Sequence, residues 1–197
     1  PSGGGGAGTL LGMQPAQFLR DYWQRRPLLI RNAFPGFVST LTPEDLAGLA
    51  CEEAALSRLV LHDRRKDKWS LRHGPFAEHE FPKLAKRDWT LLVQDVDKWD
   101  ADVRAVLAAF DFLPQWRLDD VMVSFAAPGG SVGAHVDQYD VFLLQAQGRR
   151  RWLISVDPDA PQSFRDDAEL KLLREFTPTH DWVLEPGDML YLPPGTA

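Results

Sequence analysis

After Leu118 the chain becomes a succession of short apolar runs punctuated by glycine and proline, and this pattern limits the fold more than any other feature. Val121–Phe125, Val141–Leu144, Trp152–Ile154, Trp182–Leu184 and Met189–Leu192 are strand-length runs, too short for the helices of a globular domain. Pro128-Gly129-Gly130, Gln147-Gly148 and Glu185-Pro186-Gly187-Asp188 separate them with residues that favour tight turns. Many short strands joined by such turns bury their apolar faces only as a β-sandwich or a β-barrel.

The first half reads differently. Phe18, Leu19, Tyr22 and Trp23 share one helical face between Gln14 and Gln24, Pro27 ends that helix, and Leu28–Ile30 is a strand. Thr42 is a helix N-cap, with Pro43 in the first turn and Glu44 and Asp45 near the positive end of the dipole; the helix runs to about Ala50. Leu56–Leu61 and Trp69–Leu71 flank a charged stretch, predicting a hairpin with a solvated tip. Trp89–Val96 predicts another strand, and Ala101–Phe110 a helix. The organisation expected is residues 1–13 as a flexible tail or expression remnant, 14–116 as a mixed α/β segment packing on the barrel, and 117–197 as the barrel.

Composition narrows the class. A formal charge of −6 argues against a general nucleic-acid binder, so no direct nucleic-acid binding is expected. One cysteine cannot form an internal disulfide. No apolar run approaches the roughly 20 residues that span a bilayer. A soluble cytoplasmic location with no membrane partner is expected.

Three stretches carry chemistry. In Gly133-Ala134-His135-Val136-Asp137-Gln138-Tyr139-Asp140, an extended strand would project His135 and Asp137 from one face. An imidazole beside a carboxylate makes two corners of the two-histidine, one-carboxylate arrangement that holds Fe(II). An ordinary ion contact in a loop fits the same spacing. Tyr139 follows on that face, as a pocket-lining or a core residue. In Arg149-Arg150-Arg151-Trp152-Leu153-Ile154, alternation puts Arg150 with Trp152 and Ile154 on the more apolar, inward face. A buried guanidinium needs an anion, and a carboxylate meets it through two parallel hydrogen bonds. That carboxylate would belong either to a bound dicarboxylate or to the protein. The third stretch, Glu185 to Gly195, is a sharply bounded strand ending in Pro-Pro-Gly.

Taken in order, H-V-D-Q-Y-D-V-F-L-L-Q, G-R-R-R-W and L-E-P-G-D-M-L-Y-L-P-P-G resemble the cupin-type Jumonji-C oxygenases, and most closely their bacterial ribosomal-oxygenase branch, the ribosomal protein arginine hydroxylases. S-R-L-V, H-G-P-F, W-T-L-L-V-Q-D-V and W-R-L-D-D-V-M-V-S-F extend the similarity upstream, so that it covers roughly Gln14 to the end.

The resemblance implies a mainly β fold with some α: a double-stranded β-helix (the cupin/JmjC barrel) preceded by the mixed α/β segment. It implies Fe(II), 2-oxoglutarate as cosubstrate and O2, with His135 and Asp137 as metal ligands and catalytic residues. Arg150 then binds the distal carboxylate of 2-oxoglutarate, and Ser124 lies near that cosubstrate. The substrate implied is an arginyl side chain of a large-subunit ribosomal protein, and the family forms homodimers through a region not represented here. Where the family places its second iron histidine, just after the Pro-Pro-Gly turn, this sequence reads Thr196-Ala197 and stops. The barrel is therefore expected to be truncated at its C-terminal end, one ligand short, with weak or no activity of its own. His180 is expected on a surface loop, not as a substitute ligand. A related hydroxylase acting on a histidyl residue or a small molecule, and a non-catalytic cupin-fold binding protein, are the competing readings.

Overall fold

The computed structural model describes residues 12–197. Of the expected tail, residues 1–11 lie outside the described residues, and Met13 packs against the first helix cluster. The helices are α1 (Pro15–Asp21), α2 (Pro43–Leu49) and α3 (Ala101–Val106), the last continuing as a 3-10 turn over Leu107–Phe110. The strands are β1 (Leu28–Ile30), β2 (Ser57–Asp63), β3 (Lys68–His73), β4 (Trp89–Val93), β5 (Val123–Ala126), β6 (Val141–Leu144), β7 (Arg150–Ile154), β8 (His180–Leu184) and β9 (Met189–Leu192). Among the described residues they form three sheets, ordered β3-β2-β4-β5, β1-β9-β6 and β7-β8.

The local signals act as expected. Thr42 accepts the Asp45 N–H while the Asp45 carboxylate accepts the Thr42 N–H, a reciprocal capping box that satisfies two donors at the start of α2. The β4 strand stops at Val93 instead of Val96, because Asp95 takes a left-handed φ of 56° and starts a 3-10 turn.

Two pairings cross the expected boundary near residue 116. β1 joins β9, with Leu29 opposite Leu190, and β5 joins β4, with Ser124 opposite Leu92. The β9 strand is consequently buried on both faces. Met189 and Tyr191 pack with Phe18, Ile30 and Phe110 under α1, while Leu190 packs with Ile154 and Leu184 between the β1-β9-β6 sheet and the β7-β8 pair. Burial on both sides explains why this strand is uniformly apolar instead of alternating. A third cluster, including Leu46, Leu59, Leu91 and Val93, joins α2 to one face of the four-stranded sheet. The other face of that sheet carries the row Arg58, Leu92, Ser124, since residues directly opposite in antiparallel ladders point the same way.

The Glu185-Pro186-Gly187-Asp188 turn is locked to the end of β1. Asp188, 6% exposed, accepts hydrogen bonds from the Asn32 and Glu185 N–H groups and from Arg31. Gly187 has φ 90°, and a β-carbon there would lie 2.7 Å from the Phe34 carbonyl oxygen, so only glycine fits.

Candidate active site

His135 and Asp137 lie between β5 and β6 in a segment that makes no ladder, not on the extended strand the sequence reading assumed. They nevertheless converge: His135 Nε2 is 3.6 Å from Asp137 Oδ2, with both side chains about a third exposed. The imidazole is oriented from its other nitrogen. Nδ1 lies 2.9 Å from the Gly133 carbonyl oxygen, which can only accept, so Nδ1 donates there and Nε2 is left facing Asp137. The Asp137 carboxylate raises the imidazole pKa above its usual value, opposed by burial. His135 in turn lowers the Asp137 pKa against the burial that would raise it. An imidazole nitrogen and an ionised carboxylate on one side of a loop suit a first-row divalent cation. Among the described residues no third histidine, cysteine or acid joins them. The Pro-Pro-Gly turn does come up to the pair: the Gly195 N–H donates to the Asp137 carbonyl at 2.8 Å.

Arg150 lies on the face of β7 shared with Trp152 and Ile154, while Arg151 points the other way and Arg149 precedes the strand. The neighbours meet acids, Arg149 with Glu185 at 3.3 Å and Arg151 with Asp181 at 2.6 Å. Arg150 instead donates from Nη1 to the Ser124 hydroxyl at 2.8 Å, linking β7 to β5. Among the described residues no carboxylate pairs with it, and burial lowers its pKa. Of the two carboxylate sources the sequence allowed, the protein's own is therefore not the partner among the described residues. A half-buried guanidinium met by the Ser124 hydroxyl and the Trp152 ring, and by no acid among the described residues, fits the end of a bound carboxylate.

Tyr139 is 64% exposed, which excludes the core role, and its hydroxyl helps lower the Asp137 pKa. His180 is not on a surface loop: it opens β8 opposite Ile154, with its ring 4.8 Å from that of Trp182. Sequence reasoning did not single out Arg58. Its Nε is buried without a partner, its Nη2 lies 3.8 Å from the Met122 sulfur, and its charge also lowers the Asp137 pKa. Alternation along β2 separates Arg58 from Leu59 and Leu61, but only the β2-β4-β5 register brings it level with Ser124.

Residues 105–197 match the family model described as JmjC domain. The chain is 43% identical over 178 residues to the ribosomal protein uL16 3-hydroxylase of Escherichia coli, covering 90% of this chain and 46% of that protein. The X-ray structure of E. coli YcfD matches with a TM-score of 0.87 at 41% identity, over 94% of this chain and 49% of that one. A structure of YcfD, a ribosomal oxygenase, in complex with cobalt and 2-oxoglutarate matches with a TM-score of 0.81 at 41% identity, over 94% of this chain and 47% of that one. The chain spans about half the length of the relatives it matches. The mainly β barrel fold with a preceding α/β segment, expected from the sequence, is the fold these structures share with it.

Proposed function

We propose that this chain, whose residues 105–197 match the JmjC domain family, belongs to an Fe(II)- and 2-oxoglutarate-dependent protein hydroxylase acting on an arginyl side chain of a large-subunit ribosomal protein in the cytoplasm. The observation that carries this reading is the His135–Asp137 pair, held with Nε2 and the carboxylate side by side. The kinship with a uL16 hydroxylase, and with a protein that binds cobalt and 2-oxoglutarate, supports the substrate and cosubstrate classes.

When bound, Fe(II) with 2-oxoglutarate and O2 supplies C–H hydroxylation, one oxygen atom entering the substrate and the other the succinate released with CO2. The chain's residues do the positioning. His135 and Asp137 would hold the metal from one loop. Arg150 binds the far carboxylate of 2-oxoglutarate, and Ser124 fixes the guanidinium plane through the hydrogen bond it accepts. The net negative charge suits a basic ribosomal protein.

The test is turnover by the full-length protein with Fe(II), 2-oxoglutarate and large-subunit ribosomal proteins. Succinate release, with one oxygen atom gained on an arginyl residue by mass spectrometry, is expected. Oxygen gained on a histidyl residue instead would transfer the assignment to the related hydroxylases, and no succinate at all would favour a binding protein.

A further inference from the structure

The segment joining β7 to β8 carries a small hairpin. The Arg165 N–H donates to the Leu172 carbonyl and the Arg174 N–H to the Ser163 carbonyl, both at 2.8 Å, and Phe164 bridges to Leu173. Polar latches tie it to the β2-β3 hairpin: Arg165, held by Asp167 within its own hairpin at 2.8 Å, pairs with Asp67 at 2.6 Å, and His73 lies 3.2 Å from Glu169. In this polar stretch Leu172 and Leu173 are 3% and 8% exposed.

Both meet the backbone just before His135, Leu173 through its own N–H and Leu172 through its side chain. The Leu173 N–H donates to the Ala134 carbonyl at 2.8 Å. Gly133 has φ 78°, and a β-carbon there would lie 2.7 Å from Leu172 Cδ2, so the leucine is packed directly on the glycine backbone. The Gly133 carbonyl is the group that receives His135 Nδ1–H. A metal-binding imidazole depends on the partner of its second nitrogen, and loss of such a partner weakens metal binding by about 10- to 100-fold. Here that carbonyl lies in a segment with no strand of its own.

We propose that Leu172 and Leu173 are positioning residues of the metal site: they back the Gly133–Ala134 peptide and so hold the His135 imidazole with Nε2 presented beside Asp137. This rests on the reading of His135 as a metal ligand. A leucine that only fills a core would lower stability and leave the imidazole alone.

The experiment compares Leu172→Ala, Leu172→Met and His135→Ala in the full-length protein with Leu46→Ala, a buried leucine of the α2 cluster. Co(II) affinity, thermal midpoint and the 15N shifts of the metal-free histidine ring are measured. Leu172→Ala is expected to weaken Co(II) binding by about tenfold or more, and to mix the His135 tautomers. Leu172→Met keeps the volume and restores both, while Leu46→Ala lowers the midpoint with Co(II) affinity unchanged. If Leu172→Ala does not fold, Leu172→Val should show a smaller loss in the same direction. Unchanged Co(II) affinity and tautomer in the folded Leu172 variants, with His135→Ala losing the metal, overturns the bracing alone. Undiminished Co(II) binding by His135→Ala overturns the ligand assignment and the bracing with it.

Discussion

Arg150 differs from its two neighbours in having no acid to answer it among the described residues. A charge-assisted hydrogen-bonding partner is worth about 1.5–3 kcal/mol, about ten- to a hundredfold in binding. Arg150→Ala is therefore expected to raise the KM for 2-oxoglutarate by that factor in the full-length protein. Without cosubstrate it should unfold little earlier than the parent, since it removes a half-buried cation that no acid answers among the described residues. Steady-state kinetics and thermal unfolding check both; an unchanged KM sinks the role given to Arg150. The inward face of Arg150 was legible from alternation, because strand period is a property of the backbone. The missing acid was not, because it concerns what other elements bring near. His135 and Asp137 teach a different lesson. Their convergence was foreseen on the premise of a strand, but a left-handed Gly133 and its carbonyl achieve it in a loop.

At the scale of elements, the Glu185–Asp188 turn shows how little a motif reveals of its own purpose. The sequence marks it as a sharp stop, yet Asp188 also grips Arg31, 157 positions away, and the Asn32 N–H. Burial alone would raise the Asp188 pKa, but the Asn32 and Glu185 N–H groups and the Arg31 guanidinium outweigh it and hold it below the ordinary carboxylate value. A folded-state pKa below the unfolded one stabilises the fold above the unfolded value, about 3.9, and that stability is lost as pH falls through the folded value. Asp188→Asn is expected to cost about 1–3 kcal/mol near neutral pH and to flatten the acid limb of the stability curve. Urea titrations across pH measure it; an Asn variant with the parent's acid limb would refute the assignment. By contrast, the capping box of α2 needed no distant partner, since Thr42 and Asp45 are three residues apart. It was half-legible, with Thr42 recognised as the cap and the Asp45 side chain credited only with its charge.

Across the whole molecule, β9 is the strand on which the parts meet. Tyr191, fully buried, donates to Asp140 at 2.5 Å and accepts the Gln24 N–H at 2.7 Å, so one hydroxyl ties the end of α1 to the loop entering β6. Tyr191→Phe keeps the ring contacts with Phe18 and Phe142 and strands a donor and a carboxylate. A loss of about 1–3 kcal/mol is expected. Urea unfolding followed by tryptophan fluorescence would detect it, and a loss near zero would show that the hydroxyl is dispensable. Elements, strand faces and the caps were readable along the chain because helix and strand periods, proline's missing donor and glycine's free φ act within a few residues. The closing of β1 onto β9, the pairing of β5 with β4 and the seating of Leu172 behind Gly133 were not readable. Those contacts join residues far apart in sequence, and packing of the assembled core selects them from many partners that local chemistry permits equally.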